Sequence, residues 1–403
     1  MSVGVWSGST LAWERELEAL KERISSVFGR REVRETSGAF LDGVLSGVAR
    51  KTGWQMAEQA GLSRPWRMQM LLGRTKWDAD TLVDTIRDYV VEALGDRSGV
   101  LVVDETGFVK KGKASVGVNR QYSGTAGRIE NSQIGVFVAY ASRYGQALID
   151  RRLYLPESWT GDPIRRKAAS VPEEVEFATK PAMARAMLAK ALDAALPCAW
   201  VLADAVYGSD YRLRRMLEER GQPYVLAVRS NQAIRMLSPE FAFIETDPAQ
   251  MAAALSPEDW RAHPAGEGTK GLRLYDWARV PLLWDADPGF ERWMLIRRSR
   301  ADPEAMAYYF AYAPADTALV ELAGAAGLRW TIEECFLRAK DDLGLDHCEA
   351  RSWHGWHRHM SLVMAAAAFL AKLTADLRRA AWMPDNGKAN ETSPIAPSAA
   401  CAP

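Results

Sequence analysis

The sequence carries no excess charge and few of the residues that build disulfide frameworks or metal clusters. Its 51 Lys and Arg residues balance 51 Asp and Glu residues, and its 403 residues include only four cysteines and five histidines. Zero net charge argues against generalised affinity for nucleic acid, so any binding of DNA must depend on local basic patches. The cysteines form no Cys-x2-Cys pair, and we interpret them as reduced thiols of a cytosolic protein.

Signals for export and for membrane insertion are also missing. The first residues lack a basic start followed by an apolar stretch, so no signal peptide is expected. The longest apolar run, around residues 363–371, is too short to cross a bilayer and predicts a buried helix. We therefore expect a cytoplasmic protein that has no membrane partner.

Length and composition predict an ordinary globular protein with more than one domain. The apolar share is 48% and the charged share is 25%, and 403 residues are many for one core. The patterns predict a helical region at 1–98, an α/β core at 99–234 and 326–382, and a β-rich insertion domain at 235–325. Residues 383–403 are rich in Pro, Ala, Ser and Asn and predict a disordered tail.

The N-terminal region has helical spacing of apolar residues. Leu17, Leu20, Ile24 and Phe28 recur at the interval of a helix face. Residues 54–67 predict two short helices around a glycine turn, with Pro65 near the start of the second. A DNA-binding helix-turn-helix and a plain helical hairpin fit this segment equally, because such short matches are weak signals.

The order of elements in the core predicts a mixed α/β fold. Apolar runs predict strands at 100–103, 133–141 and 146–155, which would form an antiparallel meander. A helix at 182–195, a strand at 199–203, a helix at 210–220 and a strand at 224–229 follow, with Ser209 as helix cap and Gly221 as helix end. This order is that of an RNase H-like sheet with flanking helices.

The remaining segments predict the insertion and the end of the core. Strands are expected at 272–280, 293–298 and 306–313, with loops around 264–270 and 285–289. From residue 329 to about 381 the pattern is helical again.

Three acidic residues stand out against this framework. Asp104 and Asp204 each end an apolar strand, and Glu333 lies in a segment with helical periodicity. Two strand-end carboxylates and a helical one could hold a pair of divalent metal ions, and such hard oxygen ligands favour Mg²⁺ or Mn²⁺. Simpler interpretations remain open: Asp204 could cap a turn, and Glu333 could pair with Arg329 four residues earlier.

Neighbouring carboxylates compete for two of these positions. Glu105 follows Asp104, and successive strand residues face opposite ways, so only one of them can point into the site. Glu334 follows Glu333. A buried stripe is predicted on the helix at Ile332, Cys335, Phe336, Ala339 and Leu343. Glu333 lies beside this stripe, whereas Glu334 should point to solvent and meet Arg338.

The blocks around these acids resemble those of the DDE transposases of bacterial insertion sequences. The similarity is to the group whose RNase H-like core carries a β-rich insertion before the glutamate. It rests on residues 104–112 (Asp-Glu-Thr-Gly-Phe-Val-Lys-Lys-Gly), on the Gly- and Gln-containing block 120–133, and on Asp-x-x-Tyr-Gly at 204–208. Arg329, Glu333 and Lys340 match the spacing of the family's Tyr-Arg-Glu-Lys motif, but Ala326 stands where the family has tyrosine.

The resemblance implies a function and a set of site residues. The implied protein is a DNA transposase that cleaves element ends and transfers strands into target DNA. Asp104, Asp204 and Glu333 would be catalytic and would hold two Mg²⁺ or Mn²⁺ ions. The implied partners are the terminal inverted repeats and target DNA, bound by a homodimer in the cytoplasm at the nucleoid. The implied DNA contacts are Lys110, Lys111, Arg329, Lys340, Arg351 and His359.

Two other functions share the same blocks. One is a transposase-derived DNA-binding protein without catalysis, against which the intact acidic triad argues. The other is a structure-specific nuclease on the same fold, which never joins strands. The sequence separates this nuclease from a transposase only through the resemblance.

Two further groups of residues have open interpretations. The tryptophans of the predicted insertion, Trp277, Trp284 and Trp293, could stack on an unpaired base, although most tryptophans serve as core anchors. The second group could bind zinc, but its spacing fits no standard zinc finger; it comprises His347, Cys348, His354, His357 and His359.

Overall fold

Five helices come first among the described residues. The computed structural model describes residues 10–237, 242–268, 271–282 and 288–382. Its first elements are α1 (Thr10–Ser25), α2 (Arg31–Leu45), α3 (Gly53–Gln59), α4 (Trp66–Gly73) and α5 (Ala79–Leu94). The two short helices predicted around residues 54–67 are α3 and α4, and Gly61 adopts a φ of 69° in the turn between them. The use of this helix pair for DNA binding stays a prediction.

The later helices surround the sheet. In chain order they are α6 (Glu157–Thr160), α7 (Pro163–Ala168), α8 (Lys180–Asp193), α9 (Ala205–Gly208), α10 (Tyr211–Glu218), α11 (Pro248–Ala253), α12 (Leu319–Leu328), α13 (Thr331–Asp341) and α14 (Trp353–Trp382). Asp210, rather than the predicted Ser209, caps α10, because its side chain accepts the backbone N–H of Leu213. Gly221 has the φ of 59° expected after the end of this helix.

The strands include every predicted one and several that the sequence did not reveal. In chain order they are β1 (Val100–Val109), β2 (Asn119–Ser123), β3 (Arg128–Ser142), β4 (Gly145–Tyr154), β5 (Trp200–Ala203), β6 (Tyr224–Val228), β7 (Ile234–Leu237), β8 (Phe243–Thr246), β9 (Arg261–Gly268), β10 (Gly271–Pro281), β11 (Phe290–Ser299) and β12 (Met306–Pro314). The loop predicted around residues 264–270 is wrong, because β9 runs to Gly268 as the last strand of the sheet. Proline and glycine are tolerated on such an edge strand.

One mixed sheet organises the protein. Its order is β2-β3-β1-β5-β6-β12-β11-β10-β9, with β4 also paired to β3, while β7 and β8 form a separate hairpin. β1, β5 and β6 run parallel, and the β1-β3-β4 meander is antiparallel as predicted. The mixed α/β class is therefore confirmed.

The strands of the predicted insertion extend this sheet. β12 pairs antiparallel with β6, with Phe310 opposite Leu226, so β9 to β12 continue the central sheet instead of standing apart. The expectation of a separate β-rich domain at residues 235–325 is corrected in this respect. The physical reason is that the exposed edge of β6 offers unpaired backbone groups that β12 satisfies.

The long helix α14 joins the N-terminal helices to the sheet. It packs against α2, α4 and α5 on one side and β4 on another, and Val363, Ala366 and Phe369 are fully buried. Among the described residues, α14 is the one helix that is long and apolar enough to cross a membrane. Its burial instead fits a core helix, as the apolar run at 363–371 predicted. The predicted helix over 329–381 is interrupted between α13 and α14, where Gly344 adopts a φ of 67°. The predicted tail lies outside the described residues.

Candidate active site

Asp104 and Asp204 lie side by side where the parallel pairing of the central strands β1 and β5 ends. β1 and β5 are parallel neighbours in a register that sets Val103 opposite Ala203, so the next residue of each strand is an aspartate. β1 continues past Asp104 because β3 still pairs with it. β5 ends, and Asp204 caps α9 by accepting the backbone N–H of Val206 at 2.9 Å. The prediction of a strand-end position is confirmed for Asp204 and is wrong for Asp104, which lies in the middle of β1 because β3 extends the pairing to Val109. Asp204 is both a helix cap and a neighbour of Asp104.

The two carboxylates carry strongly perturbed electrostatics. Burial raises the pKa of Asp104 to about 7, and the negative charge of Asp204 adds to this rise. Burial also raises the pKa of Asp204, followed by the charge of Glu105. The backbone N–H of Glu105, which donates to Asp104 at 2.7 Å, and the cation of Arg329 oppose the rise. The site therefore concentrates negative charge that a bound cation would relieve.

Arg329 connects Asp104 to Glu333. The arginine ends α12, and its guanidinium lies 3.5 Å from Asp104 Oδ2 and 2.9 Å from Glu333 Oε1. The helix ion pair considered for Glu333 is thus present, and the same arginine brings this helix to the aspartates. The Glu333 side chain is 44% exposed, so it lies on the solvent side of Arg329. Among the described residues, no three acidic, histidine or cysteine side chains are close enough together to hold a metal ion.

Glu105 faces a different set of partners, which the sequence did not reveal. Tyr207 donates its hydroxyl to Glu105 Oε2 at 2.5 Å, and Lys180 Nζ lies 2.5 Å from Oε1. Tyr207 and Lys180 are both far from Glu105 in the sequence. Of the two, only Tyr207 belongs to a recognisable motif, the Asp-x-x-Tyr-Gly block. Glu105 therefore ties β1 to α8 and α9, and its charge acts on Asp204.

The Asp-x-x-Tyr-Gly block now has a physical explanation. Asp204 starts α9, and the fully buried Tyr207 reaches from α9 to Glu105. Gly208 lies against the backbone of β6, where an added Cβ would collide with the carbonyl oxygen of Ala227. A residue with a side chain at this position would push α9, and Asp204 with it, away from the sheet.

Glu333 and Glu334 lie on different sides of α13, but Glu334 is the less exposed of the two, contrary to the prediction. The predicted stripe of Ile332, Cys335, Phe336, Ala339 and Leu343 is buried. Glu334 pairs with Arg338 at 2.8 Å, as expected. It does not point to open solvent: it is 34% exposed, against 44% for Glu333, and it hydrogen-bonds Gln146 in a groove formed by α13, β4 and α14. Glu334 is the less exposed acid because β4 and α14 cover that side of α13.

The predicted basic contacts have different surroundings. Lys340 donates to the hydroxyls of Thr106 and Thr125, at 2.7 and 3.0 Å, and burial lowers its pKa. Lys110 donates to the carbonyl oxygen of Cys348 at 2.7 Å. Lys111 and Arg351 are exposed. Lys340 and Lys110 therefore hold elements together around β1. The exposed charged groups of Lys111 and Arg351 are available to a partner.

The prediction that His359 contacts DNA is wrong. The residue is 2% exposed, its Nε2 lies 3.1 Å from the carbonyl oxygen of Gly344, and burial lowers its pKa to about 4. The chain between α13 and α14 folds back over the histidine and keeps it in the core.

Tryptophans near the site differ from those expected to stack on DNA. Trp277 and Trp293 are buried, at 0% and 1% exposure, so this role is wrong for both. Trp284 lies outside the described residues. Trp330 adjoins Arg329 and is 46% exposed, with the guanidinium of Arg273 5.1 Å from its ring centroid. Sequence reasoning missed this tryptophan because it precedes α13 instead of lying in the insertion.

Comparisons with known proteins agree with this geometry. The model of the DDE superfamily endonucleases matches residues 23–257, and that of the transposase DDE domain matches residues 178–370. A probable transposase for an insertion sequence element from Microchaete diplosiphon is 29% identical over 197 residues, which cover 48% of this chain and 49% of that protein. The match thus spans about half the length of that relative. Proteins of the DDE type generally depend on divalent metal ions. With Asp104 and Asp204 adjacent and Glu333 linked to them through Arg329, the chain belongs to the DDE superfamily endonucleases.

Proposed function

We propose that the protein is a DNA transposase of an insertion sequence, which cleaves DNA at the element ends and joins the freed ends to target DNA. The observation that carries the proposal is the side-by-side placement of Asp104 and Asp204 on parallel strands, with Glu333 tied to Asp104 by Arg329. The membership of the DDE superfamily supports the same chemistry.

The topology supports an RNase H-like core. The order β4-β3-β1-β5-β6 combines an antiparallel meander with two parallel strands, and both aspartates follow the apolar parts of adjacent central strands. Helices α1 to α5, in the predicted N-terminal region 1–98, are then the DNA-binding region. The strands of residues 235–325 are the family's insertion, added to the far edge of the same sheet.

The chemistry of the acidic residues suits a divalent cation, although within the described ranges the three carboxylates are not close enough together to hold one without a rearrangement. Asp104 and Asp204 present hard carboxylate oxygens. Burial, and then the neighbouring carboxylates, raise the pKa of both groups, and Arg329 only partly offsets this rise. We assign Asp104, Asp204 and Glu333 as the ligands of two Mg²⁺ or Mn²⁺ ions. When bound, such ions would activate the attacking oxygen and stabilise the leaving oxygen on phosphorus.

The basic residues have separate tasks in this proposal. Arg329, which is 29% exposed beside the acids, would hold a phosphate next to the scissile bond through its guanidinium fork. Lys340 keeps β1 and Thr125 in place behind the site. Lys110 holds the chain before α14 against β1 through the carbonyl oxygen of Cys348, and the exposed Lys111 and Arg351 would contact the DNA backbone further out.

Two displacements at phosphorus complete the reaction. Water attacks the phosphodiester at the element end, a P–O bond forms, and the bond to the 3′ oxygen breaks to leave a 3′-hydroxyl. That hydroxyl attacks a target phosphodiester, so one P–O bond forms as another breaks. An element has two ends, and we propose that a homodimer on DNA supplies one active site to each, in the cytoplasm at the nucleoid.

Incubation of the purified protein with Mn²⁺ and DNA carrying the flanking repeats tests the proposal. A transposase will give nicks at the repeat ends and joined products that map to target DNA. Cleavage without any joined product would identify a nuclease on the same fold. Binding without cleavage would identify a DNA-binding protein that has lost catalysis.

A further inference from the structure

A basic groove lies on the N-terminal helices. We call it the α4 groove: it is bounded by Arg30 in the turn between α1 and α2, by Trp66 and Arg67 at the start of α4, and by Arg74 and Lys76 after α4. It encloses about 680 Å³. Its apolar floor includes Leu71, which belongs to the core, so α4 anchors the groove to the core.

The groove is locally cationic on a chain with no net charge. Its lining includes four cationic side chains and one carboxylate, that of Glu32, whereas the whole sequence balances 51 basic with 51 acidic residues. Arg30, Arg74 and Lys76 are exposed, and within the described ranges none of them forms an ion pair. Arg67 is 3.7 Å from Glu35. The protein therefore pairs one of the four cations, Arg67, and leaves the charges of Arg30, Arg74 and Lys76 without an ion-pair partner among the described residues.

An exposed indole borders the same groove. Trp66 is 63% exposed, although Met68 and Leu71 on the same helix are buried. The core thus takes the apolar side of α4 and leaves the largest side chain of the helix outside. A flat aromatic ring beside arginine and lysine side chains offers apolar surface to a deoxyribose next to a phosphate.

We propose that the α4 groove binds the phosphate backbone of double-stranded DNA. This inference rests on the proposed function and specifies the surface that holds DNA outside the active site. Cations from three separate segments suit a chain of phosphates better than a single small anion. Arginine forks bind phosphate oxygens in pairs, and lysine adds a point charge.

The size of the effect follows from counterion release. Each phosphate neutralised contributes about −0.9 to the slope of the logarithm of the binding constant against the logarithm of salt concentration. Replacing two of the cations should make the slope shallower by about 1.8, and at about 0.1 M salt should weaken binding on the order of tenfold or more.

Fluorescence anisotropy of a labelled DNA duplex, with the full chain and without divalent metal, measures this slope. The test variant is Arg74→Gln/Lys76→Gln. The control variant, Arg215→Gln/Arg235→Gln, removes the same charge from exposed arginines that already pair with Glu219 and Glu245. Melting temperatures of both variants verify folding. We expect weaker binding and a shallower slope for the groove variant only.

Substitution of the indole tests the groove independently of charge. Trp66→Ala should weaken duplex binding several-fold and leave the salt slope unchanged. Trp54→Ala is the matched control, since this tryptophan is 57% exposed on the neighbouring α3 and does not line the groove. Equal binding by Trp66→Ala and Trp54→Ala would remove the indole from the interface.

The failure of this inference is distinct from the failure of the proposed function. If the wild-type protein binds the duplex and the groove and control variants show the same slope, the α4 groove is overturned while DNA binding stands. If the wild-type protein neither binds nor cleaves DNA at low salt, the proposed function is overturned, and the groove with it.

Discussion

The ionised Asp104 carboxylate should destabilise the folded protein when no metal ion is bound. Its pKa rises from the ordinary 3.8 to about 7, chiefly through burial and then through Asp204. A raised carboxyl pKa means that the folded state binds the proton more tightly than the unfolded state. The stability linked to this proton is fully present below pH 3.8 and is lost as pH rises to about 7. At about 1.4 kcal/mol per pH unit, the total loss is about 4 kcal/mol.

The substitution Asp104→Asn removes this charge and keeps the shape of the side chain. In chelator-containing buffer, the variant should gain about 3 kcal/mol more in the free energy of unfolding at pH 8 than at pH 5, because most of the linked loss falls between these values. Urea denaturation followed by circular dichroism at both pH values measures the difference. Comparing two pH values cancels any effect of the amide that does not depend on pH.

Two controls define the result. Asp193→Asn, at an acid that is 66% exposed and paired with Arg220, should change the free energy of unfolding equally at both pH values. Mg²⁺ should stabilise the wild-type protein more at pH 8 than at pH 5, and should stabilise Asp104→Asn little, because a ligand that binds only the folded state raises stability. A gain that is equal at both pH values, or larger at pH 5, would refute the assigned environment of Asp104.

Three further substitutions or deletions test the surroundings of the site. Gly208→Ala should lower the free energy of unfolding by more than about 2 kcal/mol, because the added Cβ forces α9 away from Ala227, and thermal denaturation measures this loss. It should also abolish cleavage, because it moves the aspartate that starts α9, and a cleavage assay checks this. Tyr207→Phe should lower the free energy of unfolding by about 1–3 kcal/mol, because the half-buried Glu105 loses a hydrogen bond, and urea denaturation measures this loss. A chain that ends at Trp382 should keep its melting temperature and cleavage rate, since the composition of residues 383–403 offers little apolar surface to bury.

The sequence predicted the framework of the site because local signals specify it. Asp104 and Asp204 each follow a continuous apolar run, which identifies a buried strand, and adjacent parallel strands bring their ends together. Helical periodicity correctly separated the buried stripe of α13 from its acidic face. These features depend on neighbours within a few residues, so they can be read without the fold.

Long-range packing decided the features that the sequence could not reveal. Lys180 reaches Glu105 from α8, and β12 pairs with β6, contacts between segments far apart in the chain. The burial of His359 depends on how residues 342–352 fold back over α14. The cover that β4 and α14 place over Glu334 also has no local signal, because it depends on where α13 packs.

The role of the acidic residues is tested most directly by metal-dependent cleavage of repeat-containing DNA. The rate is measured for the wild-type protein and for Asp104→Asn, Asp204→Asn, Glu333→Gln and Glu334→Gln in Mn²⁺. The first three variants should lose cleavage by several orders of magnitude and still bind the DNA. Glu334→Gln should cleave at nearly the wild-type rate, and it should lower the free energy of unfolding by about 0.5–1.5 kcal/mol because it weakens the contacts with Arg338 and Gln146. Wild-type cleavage by any of the first three variants, or its loss in Glu334→Gln alone, would contradict the assignment of Asp104, Asp204 and Glu333 as the catalytic carboxylates.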